Sequence, residues 1–262
     1  MNPEMKKILR KPYQFVQNLV NPVPPGASNI EENRLFWDNY AERWSPRFVE
    51  MDDTRVEPAE KQDFLECLGD EWGRKEDVEF VVTNYIYPYL TSESIAGELG
   101  CGGGRIAKRV APRVKQLHCF DISEQMLNRA RRALAGATNV QFVLLDSPQL
   151  PRELRSQIDF MYSFDVFVHL DLHMIWKYFQ EFHAALRPAG RVFLHTTNLK
   201  APGGWAFFSS QDHYSATSHY FICPEIVETF AELAGFRMLK TSEADPSNFY
   251  LNRDFLFVME KL

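Results

Sequence analysis

The sequence has few cysteines and no long apolar run. Its four cysteines, Cys67, Cys101, Cys119 and Cys223, are widely spaced and form no Cys-x-x-Cys pair. Such spacing argues against a disulfide framework or a zinc knuckle, so we expect reduced thiols and no bound metal. No stretch reaches the roughly 20 apolar residues that a membrane-spanning helix needs. No uncharged secretory core follows the N-terminal lysines either. We therefore expect a cytoplasmic protein without a cleaved signal peptide.

Basic residues are too few for a protein that coats nucleic acid. Lys plus Arg number 29 against 35 Asp plus Glu, which leaves a formal net charge of -6. Nucleic-acid binders usually show the opposite balance, because neutralisation of phosphates supplies much of their affinity. Nucleic acid is therefore disfavoured as a partner. The apolar fraction of 45% and the charged fraction of 24% instead indicate a globular protein that can bury a full core.

Residues 1–78 are predicted to be an N-terminal helical extension that serves as a lid. The extension begins with a basic leader, residues 1–30, which ends in a segment with three prolines and a glycine. We expect this leader to pack on the body or over the substrate. Weak contact with an acidic membrane surface is the alternative. Residues 49–78 are acidic and weakly periodic, which predicts a peripheral linker.

Residues 31–48 of this extension carry an aromatic stripe. Phe36, Trp37, Tyr40 and Trp44 recur at the spacing of one helical face. A helix docked by its rings is the default interpretation. Tyr40 is also a candidate contact for a substrate.

From residue 79 onward, short apolar runs alternate with helical patterns, which defines a second region, residues 79–262. Strands are predicted at Ser94–Leu99, Gln116–Asp121, Val140–Leu145, Ile158–Ser163, Arg191–Thr196, Phe236–Thr241 and Asp254–Glu260. Helices are predicted at Glu79–Leu90, Arg105–Pro112, Ser123–Ala135, Leu172–Leu186 and Pro224–Ala234. This alternation indicates an α/β fold, a parallel sheet with helices on both faces. The last two strands are joined without a helix, which predicts an antiparallel hairpin.

A glycine-rich turn follows the first of these strands, in IAGELGCGGGR at residues 95–105. Glycines permit positive φ and let backbone amides approach a ligand closely. The pattern is GxGxG from Gly100, with Glu98 two residues ahead. A dinucleotide fingerprint would need glycine where Arg105 stands, and no Gly-Lys-Ser/Thr of a P-loop follows.

Acidic residues end the next two strands. Asp121 ends the second strand, where a carboxylate accepts the two hydroxyls of a ribose. Asp146 and Ser147 end the third, where an acid accepts an adenine amine. Each acid alone is better explained as a helix cap. Because parallel strands end at one edge of a sheet, the three strand ends together predict a nucleoside site.

The motifs ELGCGGGR, FDIS, LLDS, IDFMYSFDVFVHL and LRPAGRVFLH resemble the class I S-adenosylmethionine-dependent methyltransferase family. The resemblance covers residues 79–262. It implies a Rossmann-like fold with a seven-stranded, mostly parallel sheet whose last strand is antiparallel. It also implies S-adenosylmethionine as the cofactor. The combination of GDEWGRKEDVEFVV, YIYPYL, ELGCGGGR and SFDVFVHLD is similar to bacterial methyltransferases that act on sugars, polysaccharide ends and related natural products.

The resemblance places ten residues around that cofactor. They are Glu98, Gly100, Cys101 and Gly102 at the methionine part, Asp121 at the ribose, Ile122, Asp146 and Ser147 at the adenine, and the backbone near Ser163 and Phe164 at the amino group. Cys101 would bind through its backbone, so its thiol implies no redox role.

A hydroxyl acceptor must lose a proton during methyl transfer. His169 is the candidate base, since a histidine with an ordinary pKa is mostly neutral at physiological pH. Asp165, four residues earlier, would share a helical face with it. A structural histidine is the alternative.

The long connection after the fifth strand is a candidate lid over the acceptor. Its candidate acceptor contacts, together with those of the fifth strand, are His195, Asn198, Trp205, His213, Tyr214 and His219. We therefore expect an O-methyltransferase of a small molecule or carbohydrate. The alternatives are methylation of an amine or a carboxyl group, and a cofactor-binding regulatory module without catalysis.

Overall fold

The computed structural model describes residues 27–45, 67–214 and 218–262. Residues 1–26 of the leader, and residues 46–66 with most of the expected linker, lie outside these ranges. The α-helices are α1 (Asn29–Arg43), α2 (Lys75–Val81), α3 (Ala107–Val110), α4 (Glu124–Ala133), α5 (Leu172–Ala185), α6 (Pro202–Phe208) and α7 (Pro224–Leu233). None of the helices in the described ranges is long and apolar enough to cross a membrane.

The strands form one seven-stranded sheet in the order β3-β2-β1-β4-β5-β7-β6. They are β1 (Ile95–Leu99), β2 (Gln116–Asp121), β3 (Val140–Leu144), β4 (Ile158–Ser163), β5 (Leu186–Thr197), β6 (Phe236–Thr241) and β7 (Asp254–Lys261). The pairs from β3 to β5 are parallel, whereas β7 runs antiparallel to both β5 and β6. This topology confirms the predicted sheet and its terminal hairpin.

Two apolar cores lie on the two faces of the sheet. In β4, Phe160 and Tyr162 belong to one core, and Met161 between them belongs to the other. Successive strand residues point to opposite faces, so a sheet covered on both sides needs apolar residues throughout. Helices α2, α3 and α4 contribute to the first core, and helices α5 and α7 contribute to the second.

Helix α1 packs against the body through a third apolar cluster. Phe36, Tyr40 and Trp44 are buried there against Leu68 and Met126, the latter from α4. Ser28 caps the helix: its backbone N–H donates to the carboxylate of Glu31 at 2.8 Å. The predicted aromatic stripe is therefore the docking face of α1.

Three predicted elements differ from the structure. Helical conformation begins at Lys75 rather than Glu79 and passes through a π-helix at Val82–Ile86 and a 3₁₀ turn at Tyr87–Tyr89. Residues 67–78 are not a peripheral linker, because much of this segment is buried and it includes a 3₁₀ turn at Asp70–Trp72. The connection after β5 contains helix α6, although that helix carries two glycines.

We predict that Phe179→Ala will lower the free energy of unfolding by about 3 to 5 kcal/mol. Phe179 is fully buried in α5, and its ring lies 6.0 Å from that of Phe230 and 6.4 Å from that of Phe236. The control is Leu233→Ala, at a side chain that is 70% exposed, where a change within about 0.5 kcal/mol is expected. Urea denaturation measures both, and equal losses would contradict this account of the core.

Candidate active site

A cleft of about 680 Å³, including its open mouth, lies at the carboxyl ends of the central strands. The strand order reverses beside β1, and ligands of open α/β sheets bind at such a switch point. The lining residues come from α1, the Asp70–Trp72 turn, the ends of β1 and β2 with the turns that follow them, the turn after β4, and helices α4 and α5. They are Ile30, Asn33, Trp37, Trp72, Leu99, Gly100, Gly102, Asp121, Ile122, Met126, Phe164, Asp165, Val166, His169, Leu170, Met174 and Tyr178.

The glycine turn is tied to the end of β2 by a carboxylate. Asp121 Oδ2 accepts the backbone N–H of Gly102 at 2.8 Å, and Oδ1 accepts that of Ser123 at 2.9 Å. Burial raises the pKa of Asp121 to about 6, although these backbone hydrogen bonds oppose the shift. Gly100, Gly102 and Asp121 thus come together in the cleft, as the sequence predicts.

The other predicted cofactor residues are divided between the cleft and its surroundings. Ile122 and Phe164 line the cleft. Glu98, Cys101 and Ser163 are buried behind it, and Asp146 and Ser147 are exposed outside it.

Burial raises the pKa of Glu98 to about 8, although the hydrogen bond that the Tyr162 hydroxyl donates to its carboxylate at 3.0 Å opposes this shift. Contact with the Cys119 thiol, together with burial, raises the pKa of Cys101.

His169 lies at the wall of the cleft in a 3₁₀ turn, Phe167–His169. Its Nδ1 is 3.0 Å from the carbonyl oxygen of Ser218. A carbonyl only accepts hydrogen bonds, so Nδ1 carries the proton and Nε2 keeps its lone pair. Burial lowers the pKa of His169 to about 4. The ring packs at 5.2 Å from Trp37 and at 5.2 Å from His219.

The expectation that Asp165 and His169 share a helical turn is wrong. Asp165 has a φ of +58°, in the left-handed region, which interrupts any helix before the turn that carries His169. Its carboxylate is instead paired with the buried guanidinium of Arg105. It also accepts a hydrogen bond from the Tyr250 hydroxyl at 3.3 Å, and its other oxygen lies 3.3 Å from His195 Nδ1.

His195 extends this buried polar array to β7. Its Nε2 lies 2.9 Å from Asp254 Oδ2, and its Nδ1 accepts a hydrogen bond from the backbone N–H of Asp165 at 3.1 Å. Burial would raise the pKa of Asp165, but the nearby His195 side chain and the charge of Arg105 hold it well below its usual range. His195 is fully buried, so the expectation that it contacts an acceptor is corrected.

The remaining candidate acceptor contacts do not form one group. The Tyr214 hydroxyl donates to the backbone oxygen of His169 at 2.8 Å, and the His219 ring packs on His169. The Tyr40 hydroxyl is bonded to Glu71 at 2.7 Å in the cluster beneath α1. Three others lie outside the cleft lining: Asn198, Trp205 and His213. Tyr40 is therefore a docking residue of α1.

Sequence reasoning missed the residues that α1 and the Asp70–Trp72 turn bring to the cleft. Trp37 and Trp72 both line it, with ring centroids 5.5 Å apart. Asp38 accepts hydrogen bonds from the Ser123 hydroxyl at 2.6 Å and from the backbone N–H of Gln125 at 3.3 Å. The aromatic spacing gave a helix but no sign of where that helix docks.

Within the described ranges, no group of three or more His, Cys, Asp and Glu side chains is placed to hold a metal ion. Any such group involving the other residues lies outside this observation.

The comparisons with known proteins agree with this geometry. Residues 97–190 match the sequence model of a family described as a methyltransferase domain. No curated protein matches the chain. Its fold is similar to that of magnesium protoporphyrin IX methyltransferase from Synechocystis PCC 6803 with bound S-adenosylhomocysteine, with a TM-score of 0.63 at 16% identity over 90% of this chain and 100% of that one.

Two further solved structures share the fold. An S-adenosylmethionine-dependent methyltransferase from Mesorhizobium loti has a TM-score of 0.58 at 16% identity, over 70% of this chain and 97% of that one. Another from Archaeoglobus fulgidus has a TM-score of 0.54 at 17% identity, over 71% and 94%. The sheet order and the strand-end cleft are those of the class I methyltransferase fold, and residues 97–190 match a methyltransferase domain.

Proposed function

We propose that the protein methylates a hydroxyl oxygen of a small molecule and that His169 is the base. A sugar, a polysaccharide end or a related natural product is the acceptor class. The observation that carries this proposal is the tautomer of His169, a residue that lines the cleft: its Nδ1–H donates to the Ser218 carbonyl, which leaves the lone pair on Nε2.

The residues of the cleft fit S-adenosylmethionine. Gly102 has a φ of +52°, and a Cβ built there would meet nothing within 4 Å, so its backbone faces open space beside Asp121. A Cβ at Gly100, by contrast, would overlap Val166. The turn is therefore closed from behind and open toward the cleft, as a cradle for a ligand requires. Asp121 would hold the ribose, and the turn would hold the methionine part.

When bound, S-adenosylmethionine supplies a methyl group on a positively charged sulfur, which leaves as a neutral thioether. The chain has to align the acceptor oxygen with that methyl group and to remove the hydroxyl proton. His169 Nε2 would take this proton as the new oxygen–carbon bond forms. Because burial lowers its pKa to about 4, His169 is in its base form at neutral pH. A pKa of about 4 makes His169 a weak base, so the proton transfer would have to accompany the methyl transfer rather than precede it.

Two features favour a hydroxyl acceptor over the alternatives. No lysine or arginine lines the cleft within the described ranges, so a carboxylate acceptor would lack a cationic partner. The lining carboxylates, Asp121 and Asp165, are already bonded to protein groups. A cationic amine would therefore find no unpaired carboxylate. The rings of Trp37 and Trp72 supply a surface on which a sugar face would stack.

We predict that Gly102→Ala will weaken binding of S-adenosylhomocysteine at least about 10-fold, because its methyl group enters the cradle. The loss of stability should be only about 1 to 2 kcal/mol, the cost of a left-handed non-glycine residue. Gly100→Ala should be destabilised more, owing to the overlap with Val166. Calorimetry measures the affinity for S-adenosylhomocysteine, and urea denaturation measures the free energy of unfolding. Gly136→Ala, which meets nothing within 4 Å and has an ordinary φ, is the control. Unchanged affinity in Gly102→Ala would remove the turn from the cofactor site.

We predict that His169→Asn will lower the turnover about 100-fold or more with unchanged affinity for the cofactor. The assay is release of S-adenosylhomocysteine with a panel of sugars, hydroxylated natural products, amines and carboxylic acids. His173→Asn, at an exposed position of α5, is the matched control. An amine acceptor whose methylation survives in His169→Asn would support the alternative of N-methylation. If no acceptor of the panel leads to release of S-adenosylhomocysteine, although the cofactor binds, the result would support a cofactor-binding module without catalysis.

The low pKa of His169 also predicts how stability depends on pH. The unfolded chain takes up the histidine proton near pH 6.5, whereas the folded protein takes it up near pH 4. The stability conferred by neutral His169 is therefore complete above about pH 6.5 and is lost as the pH falls toward 4. Between pH 7 and pH 4.5 the wild type should lose about 2 to 3 kcal/mol more than His169→Gln. Urea denaturation at both pH values measures this difference, and parallel losses would mean that His169 is not buried in its neutral form.

A further inference from the structure

Arg34, in the N-terminal half of α1, reaches across to the ends of two strands. Its Nε donates to the carbonyl oxygen of Ile122 at 3.1 Å. Its Nη2 donates to the carbonyl oxygens of Leu145 at 3.0 Å and Asp146 at 3.1 Å. One side chain thus bridges the end of β2 and the end of β3, about 90 to 110 residues away in sequence.

The resemblance places an adenine ring near these strand ends, next to the three carbonyls that Arg34 binds. Ile122 lines the cleft next to Asp121, the proposed ribose ligand. The Asp146 side chain, expected at the adenine edge, is exposed and does not line the cleft. Arg34 does not line the cleft either, but Ile30, Asn33 and Trp37, its neighbours on one face of α1, do. Its guanidinium therefore stands at the edge of the cleft on this side, where the sequence predicts a carboxylate.

A guanidinium suits a purine ring for two reasons. It is planar and only weakly hydrated, so it stacks favourably on aromatic faces. Its Nη1 group has no hydrogen-bond partner among the described residues, which leaves donors for the ring nitrogens. Because the three bonds to backbone oxygens fix its position, little side-chain entropy remains to be lost on binding.

We propose that Arg34 is a cofactor-binding residue that closes the adenine subsite from α1. Its guanidinium contacts the purine ring while it bridges the ends of β2 and β3. The proposal rests on the cofactor and not on the identity of the acceptor, so it stands even if the acceptor atom is not oxygen.

Helix α1 has other attachments that do not involve Arg34. Asp38 is bonded to Ser123 and Gln125 at the start of α4. Arg129 of α4 donates to the backbone oxygens of Ala41 at 2.8 Å and Trp44 at 2.9 Å. Loss of the Arg34 side chain should therefore leave α1 docked, so an effect on binding is separable from an effect on folding.

The test compares Arg34→Met, Arg34→Lys and Arg129→Met in the full chain. Calorimetry gives the dissociation constants of S-adenosylhomocysteine and of 5′-methylthioadenosine, which has the adenosine but lacks the amino-acid part. Stopped-flow displacement gives the dissociation rate. We expect Arg34→Met to weaken both ligands by the same factor, at least about 10-fold, chiefly through faster dissociation. The affinity of Arg34→Lys should lie between those of the wild type and Arg34→Met, since lysine keeps the positive charge but lacks the planar guanidinium group. Glu42→Gln, exposed on α1, is the surface control.

Any other outcome of the binding measurements overturns the assignment of Arg34. Unchanged affinity in Arg34→Met would mean that the guanidinium does not touch the cofactor, and tighter binding would mean that it obstructs the site. An equal loss in Arg129→Met would assign the effect to docking of α1. A wild-type protein that binds neither ligand would remove the cofactor site itself, together with the proposed function. Intact binding without methylation of any hydroxyl would count against the proposed function alone.

Discussion

The hydrogen bond between the backbone N–H of Gly102 and the carboxylate of Asp121 is the constraint on which the cleft depends. It joins the glycine turn after β1 to the end of β2, and Ser123 holds the other carboxylate oxygen. The turn can approach because Gly100 and Gly102 adopt positive φ. Removal of this carboxylate would leave two buried N–H groups without an acceptor, at a cost of about 1 to 3 kcal/mol each.

Much of the fold follows from local pattern. Parallel strands end at one edge, so a glycine turn after β1 and an acid at the end of β2 must be neighbours once the strands pair. Side chains beyond the strand ends obey no such rule. Asp146 follows β3, yet its carboxylate is exposed. Asp165 follows β4, yet a left-handed φ carries it to Arg105 rather than toward His169. Single backbone dihedrals in short turns decide these outcomes, and spacing in sequence does not specify them.

The array of Arg105, Asp165, His195 and Asp254 shows a second limit of sequence reasoning. It joins the turns after β1 and β4 to β5 and β7. A buried charge is tolerated only when it is paired, so each member needs the others, although they are far apart in sequence. His195 in isolation is a polar residue near a long connection, which suggests contact with a substrate. In the structure, His195 instead contacts Asp165 and Asp254. The second contact depends on the antiparallel pairing of β5 with β7, which brings Asp254 beside His195.

Helix α1 is held by two kinds of contact, and their energies differ. Toward its C-terminus, Phe36, Tyr40 and Trp44 are buried, and each such ring contributes roughly 1.5 to 3 kcal/mol. Toward its N-terminus, Asn29 and Arg34 hold backbone oxygens, at about 1 kcal/mol per hydrogen bond. The half that crosses the cleft is thus the half that detaches at lower cost. Because the aromatic half stays docked without these hydrogen bonds, a substitution among them should cost less stability than the loss of a buried ring.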